Sequence, residues 1–232
     1  MLELEDLRIR QGDFALSADL EVPEGARVAV IGPSGGGKST LLGAIAGFIA
    51  PEKGRVLWGG EPITPLLPAE RPVSILFQEN NLFPHLTAAQ NIGLGLRADL
   101  KLNAGERDRI EQAMKRTGLE GLGHRRPADL SGGQQSRVAL ARALLRNKPL
   151  MLLDEPFAAL GPALKREMLS LLAEIADETG NTVLMVTHDP DDARMFADLV
   201  VLVDEGLAHP PIPTTDIFEN PPEALRRYLG AR

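Results

Sequence analysis

The segment Arg27-Val-Ala-Val-Ile31 is short, apolar and rich in β-branched side chains, and it runs straight into glycine. A run without alternation predicts a strand covered on both faces, as in a parallel sheet. Across residues 40–50, Leu42, Ile45 and Ile49 recur at i, i+3 and i+7, which predicts a helix with one apolar stripe. Strand, glycine turn and helix together open an α/β unit. Residues 150–153 and 182–186 read as further buried strands. Each follows a helical pattern, at 134–146 and 163–176, so crossover helices and a parallel sheet are expected. Residues 2–9 and 14–22 alternate loosely, as half-exposed antiparallel strands do, and 55–58 is expected to join them. Residues 86–130 hold charge and helix formers without a convincing strand and predict an inserted helical lobe. With five prolines in thirteen residues, 210–222 is expected to add little regular structure.

Composition narrows the class. A chain of 232 residues with 44 % hydrophobic and 25 % charged positions suits one large domain carrying an inserted lobe, and argues against disorder or a fibrous fold. The net charge of −7 offers no general attraction for nucleic acid or anionic lipid. No apolar run approaches the roughly 18–20 residues that span a bilayer. The start, MLELEDLRIR, is acidic and alternating, unlike a secretory signal. The absence of cysteine excludes disulfides, Cys-ligated zinc and thiol catalysis. A soluble, cytoplasmic protein is expected.

The candidate chemistry begins at Gly32-Pro33-Ser34-Gly35-Gly36-Gly37-Lys38-Ser39, which fits G-x-x-x-x-G-K-[ST] at each fixed position and is followed by Thr40. Such a loop turns backbone N–H groups onto one anion, and the next helix points its N-terminus at the same place. Lys38 would meet the β- and γ-phosphates, and Ser39 would ligate Mg²⁺. The competing reading is a glycine-rich turn with a solvated lysine. A second strand delivers Asp154 and Glu155 at its C-terminal end, where parallel sheets bind ligands. Adjacent strand side chains diverge, so Asp154 would join the magnesium shell while Glu155 orients the attacking water. Alone, the pair is also an acidic end before a turn at Pro156. His188 follows the strand at 182–186 and precedes Asp189-Pro190, an N-cap and first helical position; there it would donate to a γ-phosphate or simply occupy a turn. Ser131 caps a helix that opens with Gly132, Gly133 and Gln134, with Val138, Ala141 and Leu145 on its stripe. Each first-turn glycine costs about 1 kcal/mol against alanine, which suggests an anion approaching that backbone; a flexible loop is the alternative.

In order, GPSGGGKST, Gln78, LSGGQ, LMLLDEP and Thr187-His188 resemble the ATPase subunits of ATP-binding-cassette (ABC) transporters over nearly the whole chain. The resemblance implies an α/β P-loop NTPase with a mainly parallel core sheet, an N-terminal antiparallel β subdomain and an inserted helical subdomain. One ABC ATPase domain would fill 1–232: a nucleotide-binding core with its β subdomain at 1–85 and 146–209, a helical subdomain at 86–145 and a tail at 210–232. ATP and Mg²⁺ are the implied cofactors. Gln78, an ordinary polar residue by spacing, is assigned by the resemblance to catalysis and to Mg²⁺, and its surroundings to the face that senses membrane subunits. The resemblance further implies a head-to-tail homodimer in which Ser131 to Gln134 of one copy close on ATP held by the other. It also implies multi-span permease subunits, an indirect periplasmic or extracellular binding protein, no nucleic acid, and a peripheral place on the cytoplasmic face of the bacterial inner membrane.

Within the family, residues 71–96 are similar to bacterial thiamine-importer ATPases. An importer of a polyamine, iron or an inorganic anion stays open, as does a soluble ABC ATPase or regulator. Two positions depart from the family pattern. Gly161 stands where an aspartate is usual, either as a plain N-cap before Pro162 or as a lost hydrogen bond between the two ATP sites. No aromatic occupies 8–13, where one stacks on adenine; Phe14 is nearest, and is equally a core residue.

Overall fold

The structure, a computed structural model, describes residues 1–77 and 81–230. Its strands are β1 (Leu2–Gln11), β2 (Phe14–Val22), β3 (Arg27–Ile31), β4 (Lys53–Trp58), β5 (Glu61–Pro62), β6 (Val73–Leu76), β7 (Leu150–Asp154), β8 (Thr182–Val186), β9 (Leu199–Asp204), β10 (Leu207–Ala208) and β11 (Ile212–Pro213). The helices are α1 (Lys38–Ala46), α2 (Ala88–Gly93), α3 (Ala104–Arg116), α4 (Gly132–Leu145), α5 (Pro162–Thr179), α6 (Pro190–Phe196), α7 (Thr214–Glu219) and α8 (Glu223–Leu229).

The strands join in the order β5-β4-β1-β2-β10-β9-β3-β8-β7-β6, with β11 on β9. The section β9-β3-β8-β7-β6 is wholly parallel, and its strands are apolar on both faces, as β3 and β8 predicted. At the other end, β1 pairs antiparallel with β2 and β4, and β4 with β5. A register shift between Leu4 and Leu7 keeps Leu2, Leu4, Leu7 and Ile9 all inward. The two-residue β10 joins the two parts, parallel to β2 and antiparallel to β9.

Hydrophobic cores lie on both sides of the parallel strands. One packs α1 and the antiparallel strands around Leu42, Ile45 and Val30; the other packs α5 to α8 around Leu172, Phe196 and Ile31. A third, around Ile92, Ile110 and Val138, belongs to α2, α3 and α4. Each of these three helices starts with a capping box, Thr87 with Gln90, Asn103 with Glu106 and Ser131 with Gln134, so the lobe's helix starts are locally encoded.

Two expectations are corrected. The helix expected across 40–50 covers Lys38–Ala46. Gly47, at φ 88°, ends it, and Ile49 folds back over Gly43, so the third residue of the apolar stripe packs from beyond the helix. The proline-rich stretch 210–222 is regular in part: β11 and α7 occupy it with Ile217 buried, and α8, with Leu225 buried, follows at once. Pro213 and Pro222 sit at N-cap positions, outside each helix interior, where a missing N–H costs nothing.

Buried cations brace the core. The Arg71 guanidinium donates to the carbonyls of Ala44, Ile45, Thr64 and Leu66, closing the C-terminus of α1 with a positive group. Burial lowers its affinity for the proton. Arg27 at the head of β3 donates to Asp198, just before β9, with the closest contact at 2.8 Å. Hydrogen bonding from Arg27 holds the Asp198 carboxyl below the usual aspartate range.

A lowered folded-state value stabilises the fold above the unfolded value, near 3.9, and that contribution disappears as pH falls through the folded one. Asp198→Asn is therefore expected to cost about 1 kcal/mol near neutrality, after discounting for solvent screening. In urea unfolding, the gap to wild type should close below about pH 4; a gap that persists in acid contradicts this pairing.

Candidate functional site

The C-terminal ends of the parallel strands meet at one edge. β3 leads into Gly32, β7 ends at Asp154 with Glu155 next, and β8 leads into Thr187 and His188. Residues distant in sequence thus meet because their strands are neighbours.

The loop from Gly32 to Gly37 is shaped by close packing. A Cβ on Gly32, at φ 146°, would lie 1.9 Å from the Val203 carbonyl oxygen of β9. A Cβ on Gly37, at φ 106°, would lie 2.7 Å from the Phe14 ring. Both positions require glycine for backbone angle and for space. Gly37 is also the N-cap of α1, and no side chain caps that helix among the described residues, so its first amides are left for an anion. Ser34, Gly35 and Ser39 are exposed on the open side, with Pro33, Gly36 and Thr40 partly covered.

Lys38 is only 7 % exposed, and its ammonium donates to the carbonyls of Gly32 and Pro33, each at 2.9 Å. Burial pulls its pKa down, against the opposing pull of Glu155 and Asp154. The Ser39 hydroxyl donates to Asp154 Oδ1 at 3.1 Å. Burial raises the Asp154 carboxyl, the Ser39 bond opposes the rise, and neighbouring Glu155 adds to it. A hydroxyl beside a carboxylate whose charge is disfavoured by burial suits a hard divalent cation, and Mg²⁺ commonly takes one or two protein oxygens with phosphate oxygens and water completing its shell. Ser39 and Asp154 fit that role; no group of three or more His, Cys, Asp or Glu forms a metal cage among the described residues.

Glu155 leaves β7 at φ 45°, in a left-handed conformation uncommon for a residue with a side chain, and its N–H donates to the Val186 carbonyl. The kink separates the two acids: Asp154 meets Ser39, and Glu155 Oε2 lies 3.0 Å from His188 Nδ1. His188 itself is exposed. Asp189 caps α6, with Pro190 at the first position, as the sequence predicted. Gln78 lies outside the described residues.

The Ser131 tip lies apart from this cluster. Ser131 accepts from the Gln134 amide, and Gln134 accepts from the Ser131 amide. No hydrogen bond among the described residues joins Ser131, Gly132, Gly133 or Gln134 to the loop at 32–39. Gly133 has its own reason to be small, since a Cβ there would lie 2.2 Å from Leu164 Cδ2. Gly132 faces open space, so the close-approach argument made for both glycines now rests on Gly132 alone. Gly161 caps α5 without a side-chain bond, at φ −65° with room for a Cβ. Phe14 packs partly into the core beside Gly37.

Three contributors escaped the sequence. Lys165 of α5 pairs with Asp189 and, at 2.9 Å, with Asp192, while the Thr187 hydroxyl donates to Asp192 at 2.9 Å. Tyr228, the chain's one tyrosine, donates to the His188 carbonyl. Arg71 caps α1 from the far side. These are long-range contacts with no local signature; the lone tyrosine in a tail otherwise free of aromatics except Phe218 was the only available hint.

Residues 16–158 match the family described as ABC transporter. The thiamine import ATP-binding protein ThiQ of Cereibacter sphaeroides is 64 % identical over 230 residues, covering 99 % of this chain and 100 % of its own. Its namesake in Ruegeria is 59 % identical over 231 residues, covering 100 % of both chains. Among solved structures, a dimeric post-hydrolysis state of the ATP-binding cassette MJ0796 bound to ADP and Pi superposes with a TM-score of 0.81 at 32 % identity, covering 92 % of this chain and 99 % of that one.

A buried ammonium whose charge is disfavoured by burial is there for a ligand more than for the fold. Lys38→Met should leave the melting temperature of the ligand-free protein unchanged or higher. It should weaken binding of a fluorescent nucleoside triphosphate about ten- to a hundredfold, the worth of one charged hydrogen bond. A large loss of stability with affinity retained contradicts this.

Proposed function

Because the chain belongs to the ABC transporter family, we propose that it is the ATP-hydrolysing subunit of a bacterial importer whose cargo is thiamine. Full-length identity of 64 % to a protein named for thiamine import supports the cargo; nothing in this chain would touch the vitamin. The observation carrying the mechanism is the convergence of Lys38, Ser39, Asp154, Glu155 and His188 at one sheet edge, with the Ser131 tip held apart and open.

ATP would bind with its phosphates over the 32–39 loop. Lys38 would exchange its two carbonyl partners for β- and γ-phosphate oxygens, and the free amides at the start of α1 would donate to the same group. Ser39 and Asp154, with Gln78, would hold Mg²⁺, which when bound neutralises charge between the β- and γ-phosphates. Glu155 would orient the attacking water and accept its proton. His188, held by Glu155, would donate to the γ-phosphate.

The Ser131 tip would supply the missing side of the site from a second copy. The similar MJ0796 cassette is dimeric in its ADP-and-Pi state. Shifting a two-state equilibrium from 1:99 to 99:1 takes about 5.5 kcal/mol, or roughly 2.7 kcal/mol for each of two nucleotides. One or two charge-assisted bonds from Ser131 and the neighbouring amides to a γ-phosphate reach that figure. Gly161 would bring no side-chain oxygen to that interface, so the two sites would share one charged link fewer.

Membrane subunits would convert closure into transport, with this chain peripheral on the cytoplasmic face; among the described residues no helix is long and apolar enough to cross a membrane. The rings of Phe48 and Phe77 lie 5.8 Å apart and Phe48 is 56 % exposed, and Phe77 immediately precedes Gln78 in the sequence, which supports that face as the docking side.

Glu155→Gln should keep ATP affinity within about twofold of wild type while turnover falls by ~10²–10⁴, the usual worth of a general base. Phosphate release and equilibrium nucleotide binding, measured on the same preparation, check both halves; wild-type turnover in this variant would remove Glu155 from the mechanism.

A further inference from the structure

The end of the chain reaches the hydrolytic residues. Helix α8 is anchored by Leu225, fully buried, and by Ala224, Tyr228 and Leu229, which pack partly against the core shared with α5 and α6. At the same helix Arg227 pairs with Asp204 at 3.2 Å, at the end of β9. Placed this way, the Tyr228 hydroxyl donates to the backbone carbonyl of His188. That carbonyl has no other hydrogen bond among the described residues. The side chain of the next residue, Asp189, is held by Lys165. The imidazole is 60 % exposed, and among the described residues its one hydrogen-bond partner is Glu155, at 3.0 Å. An exposed ring on a turn has several rotamers and backbone settings open to it; the Tyr228 hydrogen bond restrains the main chain at His188, and the Glu155 contact restrains the ring. Burial and the nearby Glu155 and Asp189 carboxylates raise the Tyr228 phenol above its usual range, so it remains a donor.

We propose that Tyr228 is a positioning residue for ATP hydrolysis: its hydroxyl fixes the backbone at His188 and so holds the imidazole in register with Glu155 and the γ-phosphate. This rests on the roles given to His188 and Glu155 above. The tail then belongs to the hydrolytic site through one hydrogen bond, although it brings no atom to the nucleotide. Its contribution is to the closed, reacting arrangement, so it acts on turnover and leaves the affinity of the 32–39 loop for ATP alone.

The full-length chain with Mg²⁺ and ATP tests this in three forms: wild type, Tyr228→Phe and His188→Ala. The phenylalanine variant keeps the ring and its packing and loses only the donor. It is expected to lower kcat about three- to tenfold, the rate equivalent of one hydrogen bond. KM for ATP and the melting temperature should stay at wild-type values, and the His188 ring resonance should shift in the NMR spectrum. A kcat within twofold of wild type, while His188→Ala loses turnover, overturns the role of Tyr228 and spares that of His188. A loss of kcat that comes with a matching fall in melting temperature marks Tyr228 as structural and also overturns it. Wild-type turnover in His188→Ala removes the reading of His188 and the proposal with it.

Discussion

A lysine ammonium taken almost wholly out of water must be answered by electrons nearby. Lys38 finds them in the carbonyls of Gly32 and Pro33 and in the fields of Asp154 and Glu155. This arrangement constrains much of what surrounds it. The loop must fold back far enough for its own carbonyls to reach the ammonium, which brings Gly32 against the β9 backbone and Gly37 against Phe14. Two acids must approach from β7, yet burial disfavours the charge on Asp154. Cation and carboxylate are both less comfortable in the folded chain than in water. A polyanion and a divalent metal bound here would relieve both.

The parallel sheet makes this affordable by placing the groups at strand ends, where backbone geometry fixes position before any side chain chooses a rotamer. β3, β7 and β8 lie side by side, so the phosphate loop, the two acids and the histidine arrive from neighbouring strands. What they lack is the opposite wall. The capped tip of α4 offers a hydroxyl and an open glycine, yet among the described residues no hydrogen bond joins it to the loop within one copy. A second copy brought head to tail would supply that wall, and the nucleotide would become the material of the interface. The hydrogen bond from Tyr228 to the His188 carbonyl, and the pairing of Lys165 with neighbouring Asp189, tie this corner of the site to α8 and to α5.

Much of this was legible in the residues. Buried strands announced themselves as unbroken apolar runs, the helices of 86–130 by charge and helix formers without a strand pattern, and the loop by a glycine pattern with few other physical uses. The divergence of Asp154 and Glu155 followed from strand alternation, although the left-handed turn at Glu155 sharpens it beyond what alternation alone gives. The tail was misjudged because prolines were counted without regard to position: Pro213 and Pro222 start helices that a proline in the interior would break. The stripe ending at Ile49 looked helical because a residue folded back past a glycine cap lands on the same face. At Gly133 the close approach of the Leu164 side chain gives a packing reason for a small residue that the first-turn cost alone does not reveal. The roles of Arg71 at α1, Lys165 at Asp189 and Tyr228 at His188 have no local pattern to announce them, since those partners lie 24 or more residues away.

The central claim is that ATP joins two copies by bridging the lysine loop of one and the Ser131 tip of the other. Size-exclusion chromatography with light scattering on the hydrolysis-deficient Glu155→Gln chain tests it directly. The account predicts a particle near the 25.0 kDa chain mass without nucleotide or with ADP, one of twice that mass with ATP, and no doubling when Ser131 is replaced by arginine. A mass that ignores ATP, or an ATP-dependent dimer that survives the Ser131→Arg change, contradicts it.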